Sequence, residues 1–593
     1  MLESRLQAAY KLLDSDQHAA AKRDFLSLVA KHGSDFRVRI GLARAMFRLG
    51  ERAAAAFHAE HALRLAAEDE PRTVEAIDVL ARVCESMKLL PQLEAICHAK
   101  PHWRELRLQL AAMLIAADRI DDADRLVRDE LAADPNAMSP RTLMAGILAA
   151  QGRAGEALDM HDTLLRNFPP TQQVLEASAF ASNAADTSPS RVFAAHDRLG
   201  RFFARHAAEA PFRHPPTDDP ERPLKIAFVS HDLVGHSVSF FLEPLLRHLR
   251  RPGLTISAYH TGPTKDRTTD LLAPLVDAFV HVPSISSVNL ARRVRDDGID
   301  VLIDLNGWTE GHRLHAFQLR PAPLQMTYLG YPNTTGLPEM DVRIVDAVTD
   351  PPGAERFATE RLARLDPCFL CYSPVTRRSW IVPPDWQPPA RPDDHFRPIT
   401  FGSFNNLTKV TDRSLRTWAE ILKRTPGSTL LVKGRGLRQG GSQAVLSRRL
   451  EQAGMPPEAW TIMPPHERPE DHLAAASVID IALDTFPYNG TTTTCELLSL
   501  GVPVVTLRGD RHVARVGASI LEAAGLHELV AEDEPWLVRL ATELAADRPR
   551  LRALQAGLAA RFLGSPVCDG PAFADRFAQL IRDQWRLRCG RQP

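Results

Sequence analysis

Cysteine is scarce and odd in number in this chain: seven in 593 residues, at positions 84, 97, 368, 371, 495, 568 and 589. So thin a set suits reduced thiols and argues against a disulfide framework. Cys368 and Cys371 have the spacing of half a zinc site or a redox pair, but no second CxxC or nearby His pair completes it; otherwise they are alternating residues of a strand. A net field is lacking too. The 72 Lys plus Arg balance the 73 Asp plus Glu, which disfavours nucleic acid or an anionic membrane as a partner. Long apolar runs are also missing. The first residues, MLESRLQAAYKLLDSDQHAAAKRD, mix charge with apolar side chains, and no later run is of spanning length, so the expected location is the cytoplasm. Neither GxxxxGK[ST] nor HExxH nor an EF-hand loop occurs. No Asp-x-Asp stands at a convincing strand end, Asp304 and Asp484 being isolated, so a diphosphate site would need positive groups other than a metal ion. No metal and no cofactor is expected.

What is present is ordinary for globular domains, with 44% hydrophobic and 24% charged residues, and the length calls for two to four cores. A period of 34 runs through the first part. Stepping from Ala9 gives Ala43, Ile77, Ala111 and Ala145; stepping from Ala21 gives Ala55, Leu89, Ala123 and Ala157. Pro101, Pro135 and Pro169 close successive units, and Asp16, Gly50, Asp118 and Gly152 mark turns within them. Small residues at fixed places let paired helices approach, and proline ends a helix by removing a donor. The pattern resembles tetratricopeptide repeats, about five over residues 2–170, and the middle unit departs where MKLLPQ replaces a tight turn. Such an array either braces the next domain or offers a concave groove to a polypeptide. Residues 171–210 read as further helices, and PFRHPPTDDPERP, 211–223, is a boundary because its five prolines cannot continue a helix.

From residue 224 short apolar runs alternate with helical stretches: LKIAFVS, LTISAYH, IDVLIDLNG, LQMTYLG and DVRIVDA, then, after a Pro- and Arg-rich interruption at 374–398, PITFGSFN, STLLVKG, WTIMPP, IDIALD and VPVVTLRG. That is the pattern of two doubly wound α/β halves, 224–390 and 391–593, with ligands expected at the carboxyl ends of the strands.

Four strand-end stretches carry the chemistry. In DTFPYNGTTTTCE, 484–496, a turn leads into a helix opened by Thr491, Thr492, Thr493 and Thr494, whose free N–H groups suit a diphosphate, while Glu496 one turn on can accept ribose hydroxyls. In FGSFNNLTKVTD, 401–412, a strand runs into Asn405 and Asn406, and Lys409 can neutralise a leaving diphosphate ahead of a helix capped by Thr411 or Asp412. In SHDLVGHSVS, 230–239, His231 and His236 sit where a neutral imidazole could take a hydroxyl proton. In NGWTEGHR, 306–313, Arg313 is available to a phosphate or an acceptor.

These stretches, with LRPAPLQ, GYPNTTGLPEMDVRIVDAVTDPPG and GSPVCDGPAFA, resemble the intracellular protein O-glycosyltransferases that comprise O-GlcNAc transferase and plant SPINDLY, over residues 225–585. The resemblance implies a helical-repeat α-solenoid followed by a GT-B fold of two Rossmann-like domains, and inverting, metal-independent transfer to Ser or Thr of a protein held by the repeats. It places His236 beside the reacting sugar, Lys409 on the diphosphate with Asn406 near it, His472 against the nucleobase, Thr492 and Thr493 on phosphate, Glu496 on ribose, and Gly311, Leu329 and Pro332 around the sugar and acceptor. Pro469, Ala475 and Thr491 depart from the animal enzyme's Lys, Arg and His. UDP-GlcNAc is the first expectation for the donor and GDP-fucose, the donor of plant SPINDLY, the second. A repeat scaffold with a decayed transferase half, and a nucleotide-sugar epimerase, are the competing readings.

Overall fold

The computed structural model describes residues 2–15, 17–66, 68–83, 86–207, 209–214, 219–283, 285–374, 381–383, 385–389, 397–434, 437 and 440–590. Asp16, Cys84, part of the 211–223 boundary and most of the 374–398 interruption lie outside them. By contacts the chain forms two units, Met1–Ile147 and Leu148–Pro593.

The first unit is a run of antiparallel helix pairs, from Leu2–Asp14 to Ile120–Ala133, and the repeat series explains its packing. Ala9, Ala43 and Ala111 of one series, and Ala21, Ala55 and Ala123 of the other, are fully buried, because a methyl-sized side chain lets neighbouring helices close on each other; the larger Ile77 is fully buried as well. Asp118 and Gly50 adopt left-handed backbone at the turns, a conformation Gly takes freely and Asp tolerates. The middle unit differs from the expectation of a turn at MKLLPQ. Helix Ser86–Ala99 runs through it, with Pro91 inside the helix.

The second unit begins earlier than the period implies. Helix Ala154–Asn167, the last of the series, groups with it, since Nη1 of Arg449 donates to the carbonyl of Gln151 and Nη2 to that of Val410, both at 2.7 Å. Helices Gln172–Ala184 and Pro189–Arg205 follow, and Leu175, Leu199 and Phe203 pack into the core of the first α/β half.

That half is a seven-stranded parallel sheet: β1 (Leu224–Ser230), β2 (Leu254–His260), β3 (Ala278–His281), β4 (Val301–Asp304), β5 (Leu324–Thr327), β6 (Val342–Val345) and β7 (Arg361–Arg364), in the order 3-2-1-4-5-6-7. The second half has six parallel strands: β8 (Thr400–Ser403), β9 (Thr429–Lys433), β10 (Trp460–Met463), β11 (Ile481–Leu483), β12 (Val504–Leu507) and β13 (Val530–Ala531), in the order 10-9-8-11-12-13. Strand order reverses between β1 and β4 and between β8 and β11, the two switch points at which ligands bind in such folds. One continuous apolar core joins Phe228 of the first sheet, Phe401 of the second and Phe577 of the last helix. That helix, Gly570–Gly590, lies beyond residue 391 yet returns to the first half: Arg361 donates to Gln584, Arg582 to the carbonyls of Pro220 and Arg222, and Arg222 covers the Trp585 ring. A division at 390 therefore misplaces it. Among the described residues no helix is long and apolar enough to cross a membrane.

Candidate active site

A cavity of about 1190 Å³ opens at the carboxyl ends of the strands of both sheets, lined by the loops after β1, β5, β8, β9, β11 and β12 among others. His236, Leu329, Pro332, Asn406, Lys409, His472, Thr491, Thr492, Thr493 and Glu496 all line it. Segments that are far apart in sequence thus meet in one space.

In the second half the buried carboxylate of Asp484 organises the floor. It accepts from the N–H groups of Thr485 and Gly490 at 2.8 and 2.7 Å, from the Thr506 hydroxyl at 2.7 Å and from Asn405 at 3.2 Å. These bonds set the turn that delivers the chain to helix Thr492–Ser499, where Thr491 is the N-cap and forms no side-chain cap bond. Thr491, Thr492 and Thr493 line the cavity, so the start of that helix lies at it with no capping side chain spent on its free N–H groups. Lys409 reaches across from the loop after β8. Its Nζ donates to the Asn489 carbonyl at 3.0 Å and sits 4.0 Å from the Tyr488 ring centroid. Burial pushes its ammonium down to about 8, and the negative charge of Asp484 opposes that fall. Asn406 caps the short helical turn Leu407–Lys409 by accepting from the N–H of Thr408, and Thr411, not Asp412, caps the helix that follows.

At the other end, His472 joins two charged groups. Its Nδ1 lies 2.6 Å from the Lys433 amine and its Nε2 3.5 Å from a Glu496 carboxylate oxygen. Lys433 ends β9, is 1% exposed and lies over the Phe404 ring; burial pushes its amine down to about 8, with Glu496 opposing.

In the first half His236 lies on the cavity wall, its Nδ1 accepting from the Val238 N–H at 3.3 Å and 3.7 Å from Asp232. Burial would raise the Asp232 carboxyl, but His231, His236 and Asn306 outweigh it and hold it below the usual range. Leu329 has positive φ, an uncommon conformation for a branched residue, and it lines the cavity beside Pro332. The loop that holds both is pinned from behind, where Tyr331 bonds Asn183 and His196, each at 2.9 Å.

Gly311 and Arg313 do not line the cavity, contrary to expectation. Gly311 has left-handed backbone, and a Cβ there would stand 2.3 Å from the His231 ring, so its loop lies behind the His231 turn. His312 then bonds Glu176 of the connecting helix at 3.2 Å, which draws the segment away from the cavity and leaves the Arg313 Nε buried there. His231 is likewise absent from the lining, its ring held by Asp232 at 3.1 Å. Cys368 and Cys371 are buried and belong to no strand; burial pushes both thiols up, Cys368 to about 12, and the Ser519 hydroxyl lies 3.3 Å from the Cys368 sulfur. Among the described residues no group of three or more His, Cys, Asp or Glu could hold a metal ion.

A family model described as Glycosyl transferase family 41 matches residues 194–373 and 390–576, more than half of the chain. The chain belongs to that family. It is 39% identical over 404 residues to a protein of Arabidopsis thaliana named probable UDP-N-acetylglucosamine–peptide N-acetylglucosaminyltransferase SPINDLY, covering 67% of this chain and 43% of that one. A second Arabidopsis protein, with the same enzyme name and designated SEC, is 29% identical over 68% of this chain and 42% of its own. The chain thus spans less than half the length of these curated relatives. Among solved structures, an O-GlcNAc transferase mutant from Thermobaculum terrenum superposes with a TM-score of 0.76 at 30% identity, covering 93% of this chain and 98% of that one.

Within this family 41 chain, three residues at or beside the cavity were not singled out from sequence; Lys433 and His512 line it and Asp232 does not. Lys433 was legible in part, as a lysine ending the apolar strand STLLVKG just before a glycine. Asp232 stands between the two histidines that drew attention, in HDLVGH. His512, in GDRHVAR, gave no signal, because its partner Asp350 lies 162 residues away in the other half.

Proposed function

We propose that this chain is a protein O-glycosyltransferase that moves GlcNAc from UDP-GlcNAc onto Ser or Thr hydroxyls, with inversion and without a metal ion, on proteins presented by the helical repeats. The observation that carries this reading is the meeting of the Lys409 amine with the Asn489 carbonyl, directly before an uncapped helix start at Thr491–Thr493, inside a cavity large enough for a nucleotide-sugar. The nucleobase lies toward His472, the ribose on Glu496, and the diphosphate between Lys409 and the helix start. The acceptor oxygen bonds to C1 of the sugar as the C1–O bond to phosphate breaks; the electron pair leaves on the diphosphate, where Lys409 and the helix N–H groups stabilise it. His236 takes the hydroxyl proton. The names of the SPINDLY and SEC relatives and of the superposing structure support GlcNAc.

The test is a reaction of the purified full chain with peptides and an equal mixture of UDP-GlcNAc and GDP-fucose, read by mass spectrometry. HexNAc on Ser or Thr is expected. Deoxyhexose there would keep the reaction class and change the donor to GDP-fucose, the reading that the wording YPNTTGLP and FPYNGTTTTCE favours. Tight calorimetric binding of UDP or GDP with no transfer to any peptide would replace the enzyme by a ligand-binding scaffold.

A further inference from the structure

Of the histidines that line the cavity, His236 and His472 have places in the reading above, and His466 and His512 have none. His512 sits in the turn His512–Ala514 after β12 and is 8% exposed. Its Nδ1 lies 2.5 Å from Oδ2 of Asp350, which follows β6 in the other half and is 5% exposed. The charged groups around this pair are Arg343 on β6, whose Nη1 lies 3.8 Å from Asp350, and Asp346, which accepts from the Ser519 hydroxyl and the Phe369 N–H. Burial and then Arg343 push the imidazole down, with Asp350 opposing, whereas the charges of His512 and Arg343 outweigh burial and hold the Asp350 carboxyl well below its usual range. The Nδ1 proton is therefore directed at the Asp350 carboxylate, and the downward push on the imidazole favours the ring form with no hydrogen on the other nitrogen. The second nitrogen, Nε2, is left as a lone pair, and among the described residues it has no hydrogen-bond partner.

A bare imidazole nitrogen does not bind phosphate oxygens, which are acceptors as well; its partner must carry a hydrogen. Location narrows that partner. The Asn489 N–H donates to the carbonyl of Val513, the next residue, and the Asn489 carbonyl is the one that holds Lys409. His512 thus stands beside the proposed diphosphate seat, with the Phe369 ring edge-on at 5.1 Å. A group linked to the terminal phosphate falls within its reach. We infer that His512, oriented by Asp350, is a specificity-determining residue that accepts a hydrogen bond from a hydroxyl of the sugar carried on the diphosphate. The inference rests on the nucleotide-sugar reading of this cavity and deepens it; Asp350 is the positioning residue.

Calorimetry of the full chain with UDP, GDP, UDP-GlcNAc and GDP-fucose tests it. His512→Phe keeps the ring shape without the nitrogen, and should weaken the preferred nucleotide-sugar about tenfold while leaving its nucleoside diphosphate within about twofold. His512→Gln, which returns an acceptor near the Nε2 position, should recover part of the loss, and Asp350→Asn should show the same split in milder form. Equal weakening of nucleotide-sugar and nucleoside diphosphate would reduce His512 to a packing role and overturn the inference. Unchanged nucleotide-sugar affinity would overturn it as well, even with slower turnover, since the bond would then belong to the acceptor hydroxyl. If the wild-type chain binds neither UDP nor GDP, the nucleotide-sugar reading itself fails, an outcome distinct from either of these.

Discussion

The two α/β halves build the same brace and finish it differently. At the end of β4, buried Asp304 accepts from the N–H groups of Asn306 and Gly307 at 3.1 and 2.8 Å and from the Thr327 hydroxyl of β5 at 2.8 Å. Just after β11, buried Asp484 accepts from the N–H groups of Thr485 and Gly490 and from the Thr506 hydroxyl of β12. Burial raises both carboxyls and the donated hydrogen bonds pull them back. An asparagine serves each brace, Asn306 tying the His231 N–H and Asp232 together and Asn405 reaching Asp484. The same switch-point geometry then carries a histidine turn in one half and a lysine beside a helix start in the other. Isolated aspartates at the strand ends shape loops, and the side chains on those loops decide what each half offers a ligand, an imidazole in one and an amine beside a helix start in the other.

Removing the lysine should break the asymmetry most severely. Lys409→Ala is expected to lower kcat by about 10³-fold, the upper end for loss of one preorganised electrostatic group, with little change in thermal melting. Retention of more than a tenth of wild-type turnover would show that the second half stabilises the leaving group without it.

The half that carries the histidine turn comes next. His236→Phe should cost about 10²-fold in kcat with the nucleotide-sugar KM little changed, as expected for a general base. A rise in KM alone, read from initial rates, would move His236 from proton transfer to binding.

How far these positions were legible depends on whether what places them is local. The Ala series at a 34-residue spacing showed the helical array because each alanine answers to a neighbour one repeat away. Lys409 and the four threonines were legible for a similar reason, each standing within a few residues of its strand end. Strands β3, β7 and β13 were missed because AFVH is only half-buried, RLAR is bracketed by arginines and VA is two residues long, so none shows an apolar run. Gly311 and Arg313 misled because a turn's sequence does not say which way it leans; that is set by the His231 ring and by Glu176. The return of helix Gly570–Gly590 to the first half, and the His512–Asp350 pair, are tertiary facts with no local trace.

A smaller effect is expected at the nucleobase end. Lys433→Met removes the amine that holds His472 Nδ1 and should raise the nucleotide-sugar KM about tenfold, with kcat within about twofold, since one hydrogen bond to a charged group is lost from binding alone. Equal loss in kcat and in kcat/KM would instead tie Lys433 to the transition state.

The mildest change tests the paired braces directly. The Lys409 ammonium, already pushed down to about 8, loses its proton as pH rises through that value, so wild-type kcat/KM should fall above pH about 8, approaching tenfold per unit. Asp484 supplies the negative charge that opposes this fall. Asp484→Asn withdraws the charge while keeping the size of the side chain, so the alkaline limb should move to lower pH, a roughly two- to threefold loss at pH about 8 that vanishes near pH 6. Asp304→Asn alters the matching brace, which has no lysine above it, and should leave the limb in place. Lys433 is also pushed down to about 8, and Lys433→Met discriminates between the two amines: a limb that survives in it belongs to Lys409. Equal shifts in the Asp484 and Asp304 variants would mean that the braces act only on loop shape, and the electrical distinction between the halves would be lost.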